Sequence, residues 1–420
     1  MHACFSNWFY DIFNVAFDYM PEKHQNKALC VLNFSGRFGG AEKRYATLFN
    51  HLMVQGADYY LIMNTRLYRL LVNSSLLRAG DRIILFHDGG DGIPRAHVNS
   101  RKPVQEVSRK STARLFLGRW KYFLGTMLLW LRFSLFFIRQ VQKKQIKTIY
   151  GVWQGGIWTW MWCRMLKVKL IFSVNSSGML NMETNVTKFF DSQYWVLQHA
   201  DVADFLSPSL KENYTRGMGG KIGGHCVVTP NSFIDYTHYY AVFPKKPWVV
   251  FLGRLEPIKN PMIFLEAVRI IQQTMPAVEI TYFVMGTGNM LNSMQQFVSR
   301  NQLRNVRFTG LHSKPWQILR ESSVFVSLQR DENYPSQSLI EAMACENGIV
   351  VTDVGDTRML VTESEGLFTN AEPMDVADNI IKLLINPDLR EKTGKKAREK
   401  VIHYHTIDRF ARWFDDMMND

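Results

Sequence analysis

Short apolar, β-rich runs alternate with longer helical patterns along most of this chain, and that rhythm limits the folds open to it. The first series reads "ALCVLNF" (28–34), "YYLIMN" (59–64), "RIILF" (82–86), "TIYGVW" (148–153), "KLIFSV" (169–174) and "VADFLS" (202–207), closing on "HCVVTPNS". Runs this apolar predict strands buried on both faces, hence a parallel sheet between helical layers. A stretch rich in proline and lysine near residue 244, within "HYYAVFPKKPWVVFLGRL", then interrupts the pattern. The alternation restarts with "WVVFLG", "EITYFVMG", "VRFTG", "SVFVSL", "GIVVTD" and "GLFTN", and from Asp388 the chain is mostly charged helix. The expected architecture is α/β, with two doubly wound Rossmann-like domains facing across a cleft. Residues 1–243 form the first domain and 244–403 the second; a helix over 404–420 packs back toward the first. No short-period repeat points to a solenoid.

With 420 residues, 46% of them hydrophobic, such a pair of cores can be filled. The cysteines, Cys4, Cys30, Cys163, Cys226 and Cys345, stand far apart without a CxxC or zinc-like spacing, as in a reducing compartment. The opening "MHACFSNWFYDIFNVAFDYM" lacks a basic n-region and carries two aspartates, so no secretory signal is expected and the protein is placed in the cytoplasm.

Net charge is +13, concentrated in residues 101–147, where Glu106 is the only acid. Inside this segment Tyr122 to Ile138 is the most apolar part of the chain, broken by Arg132, and a helix is expected over 113–145. A spanning helix needs about 20 apolar residues, so this one is short and carries a mid-span charge. Two readings stay open, and they are compatible on different faces: a core helix of the first domain, or an interfacial helix with Trp120 and Trp130 at headgroup depth and arginines on an anionic membrane. A nucleic-acid partner is not expected, since no helix-turn-helix, zinc or RNA-recognition pattern accompanies the charge.

Ligands of open α/β sheets sit outside the carboxyl ends of strands. Three candidate stretches fall there. "NFSGRFGGAEK" is a strand-to-helix turn whose Gly36, Gly39 and Gly40 allow close backbone approach to a phosphate, or simply make a tight turn. "FLGRLEPIKNP" places Arg254 and Lys259 in one loop, suited to clamping a diphosphate and steadying negative charge as it departs. In "LQRDENYPSQSLIEAMACENGIVVTDVG", Pro335 sets a helix start near Pro335 or Ser336. The amides of Ser336, Gln337 and Ser338 then favour an anion, and Leu339, Ile340, Met343 and Ala344 make the buried stripe. Glu341 is a poor phosphate ligand but a good acceptor for vicinal ribose hydroxyls.

Taken together, "GRLEPIKNP" and "NYPSQSLIEAMACENGIVVTDVGDTRMLV" resemble the donor site of retaining glycosyltransferase family 4, within the glycosyl transferases group 1. "GGAEKR", "SPSL", "VVTPNSFID", "VMGTGNM" and "INPDLREKTGKKAREKVIHYHT" extend the resemblance over 28–415, most strongly over 249–361. It implies the GT-B fold and a UDP- or GDP-sugar donor, with a glycan or polyprenyl-diphosphate-linked acceptor in cell-envelope polysaccharide assembly such as lipopolysaccharide. It also implies that Arg254 and Lys259 bind the donor diphosphate and Glu341 its ribose, with Gly39, Gly40, Ser336, Gln337 and Ser338 completing the donor site.

The chain departs from the family in two places. A glutamate usually stands eight positions before the ribose one; here that position is Asn333, with Glu332 one residue earlier, so either side chain is a candidate for the transferred sugar. Where many members carry a histidine in the first domain, this chain has Gln154 in one place and Asn175, Ser176 and Ser177 in the other. Asn175 and Gln154 are candidates for the sugar or acceptor, though neither accepts a proton as histidine does.

No Asp-x-Asp occurs, so the expected reaction needs no metal and no cofactor beyond its substrate. His403 and His405 read as surface or packing residues, and Trp153, Trp158, Trp160 and Trp162 mostly as core. Two rivals differ in class. A glycoside hydrolase would need carboxylates facing each other across about 5–9 Å and has no use for phosphate-binding features. A catalytically silent sugar-nucleotide-binding partner with the same fold would be consistent with both departures.

Overall fold

The computed structural model describes residues 26–34, 39–89, 109–175, 192–220, 222–229, 233–234, 236–312, 314–331 and 334–420, the span 109–123 by its backbone alone. Two all-parallel sheets organise it. The first holds β1 (Asn26–Val31), β2 (Tyr59–Asn64), β3 (Ile83–Phe86), β4 (Ile146–Val152), β5 (Lys169–Val174), β6 (Val202–Phe205) and β7 (His225–Val228), in spatial order β3-β2-β1-β4-β5-β6-β7. The second holds β8 (Lys246–Leu252), β9 (Thr281–Met285), β10 (Val306–Gly310), β11 (Ser322–Ser327), β12 (Gly348–Thr352) and β13 (Gly366–Thr369), in order β10-β9-β8-β11-β12-β13. Each order reverses once, between β1 and β4 and between β8 and β11. Loops leaving the two strands at such a reversal diverge to opposite faces, which opens a crevice at their carboxyl ends.

Helices of the first domain are α1 (Gly40–Val54), α2 (Thr65–Asn73), α3 (Arg109–Lys144), α4 (Gln154–Met165), α5 (Ser192–His199) and α6 (Pro208–Gly217). Its core has two halves. On one face Phe133, Phe137 and Val141 of α3 pack with Ile149, Phe172 and Trp162; on the other, α1 covers Leu29, Leu61 and Tyr150. Trp158 and Trp160 are partly buried against the first half, Trp153 against the second. Helix α4 lies so close to the sheet that a Cβ on Gly155 would fall 1.9 Å from the Cys30 carbonyl oxygen, and one on Gly156 2.2 Å from the Phe172 ring. Only glycine permits that approach.

The second domain adds α7 (Pro261–Thr274), α8 (Leu291–Arg300), α9 (Trp316–Leu319), α10 (Gln337–Ala344), α11 (Thr357–Leu360), α12 (Pro373–Ile385) and α13 (Pro387–Tyr404). Ile234 and Tyr239 already belong to its core, so the chain changes domain ahead of the proline-lysine stretch. It crosses back at Thr406, which pairs with Ile234. Helix α14 (Ile407–Asn419) then docks on the first domain, with Phe410 and Phe414 buried against Tyr45, Tyr59, Tyr150 and Phe233. His405, before it, is buried, whereas His403 is exposed. The cysteines within the described residues, Cys30, Cys163, Cys226 and Cys345, are free.

Candidate donor and acceptor site

The reversal in the second sheet carries the loop predicted to hold phosphate. Arg254 follows the end of β8; Pro257–Lys259 form one 3-10 turn, and Asn260 in the left-handed region redirects the chain into α7. Lys259 reaches sideways to the end of β11, where its Nζ donates to Gln329 Oε1 at 2.6 Å. The Arg330 amide donates to the Ile258 carbonyl at 2.9 Å, so the two loops are tied by backbone as well. Burial lowers the Lys259 ammonium pKa to about 8; Arg254 pushes the same way and Glu256 opposes. Arg254 itself is exposed and paired with Glu256 at 2.7 Å. Below this loop, the "VMGTGNM" turn crosses closely: Gly286, at φ +138°, brings its α-carbon against the Gly253 carbonyl.

Helix α10 begins one residue later than the proline alone predicts, with Ser336 as the residue before its first turn. All of Leu339, Ile340, Glu341, Ala342, Met343 and Ala344 are buried, so the apolar stripe is joined by a carboxylate. Glu341 keeps polar neighbours despite being only 4% exposed. Gln337 Nε2 donates to Glu341 Oε1 at 3.4 Å and to the Phe233 carbonyl at 3.2 Å. Lys43 Nζ of α1 approaches the same Oε1 at 3.4 Å from the other domain. A buried acceptor oxygen held by donors but lightly engaged suits a ligand's hydroxyl groups. Ser336 is buried and Ser338 half-buried, their hydroxyls 3.5 Å apart. Glu332 and Asn333 lie outside the described residues, as do Gly36, Ser176 and Ser177; Asp331 is exposed.

On the first domain, three consecutive side chains of "GGAEKR" diverge to three tasks. Glu42 turns back on the glycine loop, accepting from the Gly39 amide at 2.8 Å and from Asn33 Nδ2 at 2.5 Å. Lys43 goes across to Glu341, and buried Arg44 donates to Asn175 Oδ1 at 3.3 Å past the end of β5. Gly39 and Gly40 are exposed at this turn. Gln154 opens α4 at the first sheet's reversal after Trp153 at φ +44°, and its Oε1 is buried without a hydrogen-bond partner. Backbone strain of that kind persists where surroundings over-determine it. The strand ends beside them carry Asn64, which donates to Asp88 Oδ2 at 2.8 Å, and His87.

The site residues therefore fall into two facing groups. Lys259, Arg254, Glu341, Ser336, Gln337 and Ser338 line the second domain; Gly39, Gly40, Gln154 and Asn175 line the first. Ser209, at the start of α6, adds a second tie, its amide and hydroxyl each donating to Asp356 at 2.8 Å. Lys43, Arg44, Gln329 and Asp88 were not singled out from sequence. Lys43 and Arg44 carried a signal in "GGAEKR" itself, whereas Gln329 and Asp88 had none. Among the described residues no group of three or more His, Cys, Asp or Glu is placed to hold a metal ion.

Residues 239–400 match the family model of glycosyl transferases group 1. A Staphylococcus aureus poly(ribitol-phosphate) alpha-N-acetylglucosaminyltransferase is 25% identical over 243 residues, 52% of this chain and 49% of that one. An Escherichia coli UDP-Gal:alpha-D-GlcNAc-diphosphoundecaprenol alpha-1,3-galactosyltransferase is 23% identical over 159 residues, 37% of this chain and 41% of its own. The chain thus spans about half or less of the curated relatives it matches. The crystal structure of Anabaena HepE with UDP and glucose superposes with TM-score 0.71 at 14% identity, over 94% of this chain and 100% of that one. That of S. aureus TarM with fondaparinux, alpha-GlcNAc-glycerol and UDP gives 0.66 at 12%, over 94% and 100%. The fold is the two-domain GT-B fold.

Proposed function

We propose that the chain is a retaining glycosyltransferase of family 4. It moves a hexosyl or N-acetylhexosaminyl group from a UDP- or GDP-sugar to a glycan or polyprenyl-diphosphate-linked acceptor in cell-surface polysaccharide synthesis. It works at the cytoplasmic face of an anionic membrane. The observation that carries this reading is the pairing of half-buried Lys259 at the β8–β11 reversal with buried Glu341 on the helix that follows β11, one suited to a diphosphate and the other to a ribose. UDP is the favoured nucleotide, because it is the one named with HepE, TarM and the E. coli relative.

Arg254 and Lys259 bind the diphosphate and take up the charge that develops when the sugar C1–O bond breaks, its electron pair staying on the phosphate oxygen. The acceptor hydroxyl joins C1 from the same face, and its proton passes to the departing diphosphate. No enzyme base is needed at Gln154 or Asn175, which instead orient sugar or acceptor. Glu332 or Asn333 contacts the transferred sugar. Closing the domains excludes water, which would otherwise compete as acceptor. The reaction is taken to be metal-independent because no Asp-x-Asp bridges the diphosphate.

Thermal stabilisation by UDP, GDP and ADP, for wild type and Glu341→Ala, with and without EDTA, tests the donor site. UDP stabilisation that is weakened by the substitution and indifferent to EDTA is the expected result; no response to any nucleotide overturns the assignment. Turnover of UDP-sugars then separates an enzyme from a silent binder.

A further inference from the structure

Helix α3 is much longer than the sheet it covers. Its end, Lys144, meets the start of β1, where Asn26 Nδ2 donates to the Lys144 carbonyl at 2.6 Å. Twelve residues earlier Arg132 donates to the carbonyl of His87, one residue past the end of β3, at 3.3 Å. The helix has therefore run most of the length of the sheet between Lys144 and Arg132, and just before Arg132 Trp130 still stacks on Trp162 of α4 at 5.8 Å. Leu124 to Leu131 add roughly 12 Å of helix ahead of Arg132.

The turn that precedes Leu129 is apolar and exposed, while Leu129 and Trp130 are half-buried against the first-domain core. Leu124, Met127 and Leu128 are exposed in that turn. Lower down, Phe133 and Phe137 are fully buried while Leu131 and Leu135 on the opposite face are 45% and 62% exposed. Leu124, Leu128, Leu131 and Leu135 share one stripe, with exposed Arg132, Arg139 and Lys143 in the row beside it. An exposed apolar row of this length marks a docking surface.

We infer that the exposed face of α3 from Leu124 to Leu135 docks on an anionic lipid bilayer and holds the acceptor side of the first domain against it, so that a lipid-borne acceptor enters at the rim where Arg132 meets His87. The inference rests on the transferase reading for its acceptor, but the docking itself does not. Charge selects the occupant. The stripe runs beside a row of cations in a segment with a single acid, so an anionic lipid surface satisfies both rows, whereas a second copy of this chain would face like charge with like. The mid-helix arginines and the buried Phe133 and Phe137 fit a helix lying in the interface rather than crossing the bilayer.

Vesicle flotation decides it, with phosphatidylglycerol–phosphatidylcholine and pure phosphatidylcholine vesicles, for wild type and a Leu128→Ser, Leu131→Ser, Leu135→Ser variant. Nucleotide thermal shift and light scattering are run on the same preparations. Wild type floats with the anionic vesicles, and the variant loses roughly tenfold or more of its partitioning through lost apolar burial, while keeping its UDP shift and so its fold. Failure of wild type to float, or equal flotation of the variant, overturns the inference. A wild-type dimer that the variant dissolves also overturns it, making the stripe a self-contact. A missing UDP shift in both proteins counts against the donor site alone and leaves the flotation result standing.

Discussion

Lys43 Nζ of the first domain lies 3.4 Å from Glu341 Oε1 of the second, so the carboxylate assigned to the donor ribose is shared across the cleft. Lys43 is about one-third exposed and Glu341 nearly buried. For folding, such a half-exposed pair contributes at most about 1 kcal/mol. For binding, Glu341 matters more: Glu341→Ala is expected to cost roughly 1.5–3 kcal/mol of UDP affinity, the range for hydrogen bonds to a charged group. Lys43→Met should leave thermal stability and UDP affinity nearly unchanged. Titration calorimetry on both variants checks the difference; equal loss from each would sink the ribose role of Glu341.

Lys259 sets a pH dependence. Its folded pKa, lowered to about 8 by burial, lies below that of the unfolded chain, so this group's charge opposes folding at neutral pH. Its penalty fades as pH rises through 8 toward the ordinary lysine range. Diphosphate binding has the opposite preference, because the ammonium form pairs with phosphate. UDP affinity should therefore fall as pH climbs from 7 to 9, with proton uptake on binding near pH 8 that appears as a buffer-dependent binding enthalpy. Lys259→Met should remove that buffer dependence.

Gly155→Ala tests the close seat of α4. The added Cβ would meet the Cys30 carbonyl at 1.9 Å, and backbone cannot yield as a flexible side chain does. The helix has to lift from β1 and β4, at a cost of about 3 kcal/mol, the upper end for overpacking. Gly40→Ala, whose Cβ would meet nothing within 4 Å, is the control. Denaturant midpoints compare the two.

Helix α14 ties the end of the chain to the first domain. Phe414 is fully buried among Tyr59, Tyr150 and Phe410. Phe414→Ala should lower stability by about 3–5 kcal/mol. The loss should appear as earlier unfolding of the first domain, detected as protease cleavage there ahead of the second.

Much of this protein is legible from residue order alone. Apolar runs of five to seven residues between amphipathic stretches can only be strands of covered parallel sheets, and the break near residue 244 separates two of them. The places of Arg254 and Lys259 in the loop after β8, and of Glu341 within the helix after β11, were legible because a local pattern reveals such positions. Local pattern does not say which strand ends are neighbours. That β8 lies beside β11, so that Lys259 meets Gln329 from 70 positions away, depends on strand order in the sheet. That Lys43 faces Glu341 across 298 positions depends on how two separate cores pack together. The exposure of one face of α3 is of the same kind. Its apolar, basic character is written in the sequence, but which face is buried follows from where β3 ends and α4 lies. Local hydrogen bonding and side-chain periodicity act over a few residues, so the sequence determined the elements and their ligand-prone ends. The site and the exposed stripe are contacts of high sequence separation, and only tertiary packing decided them.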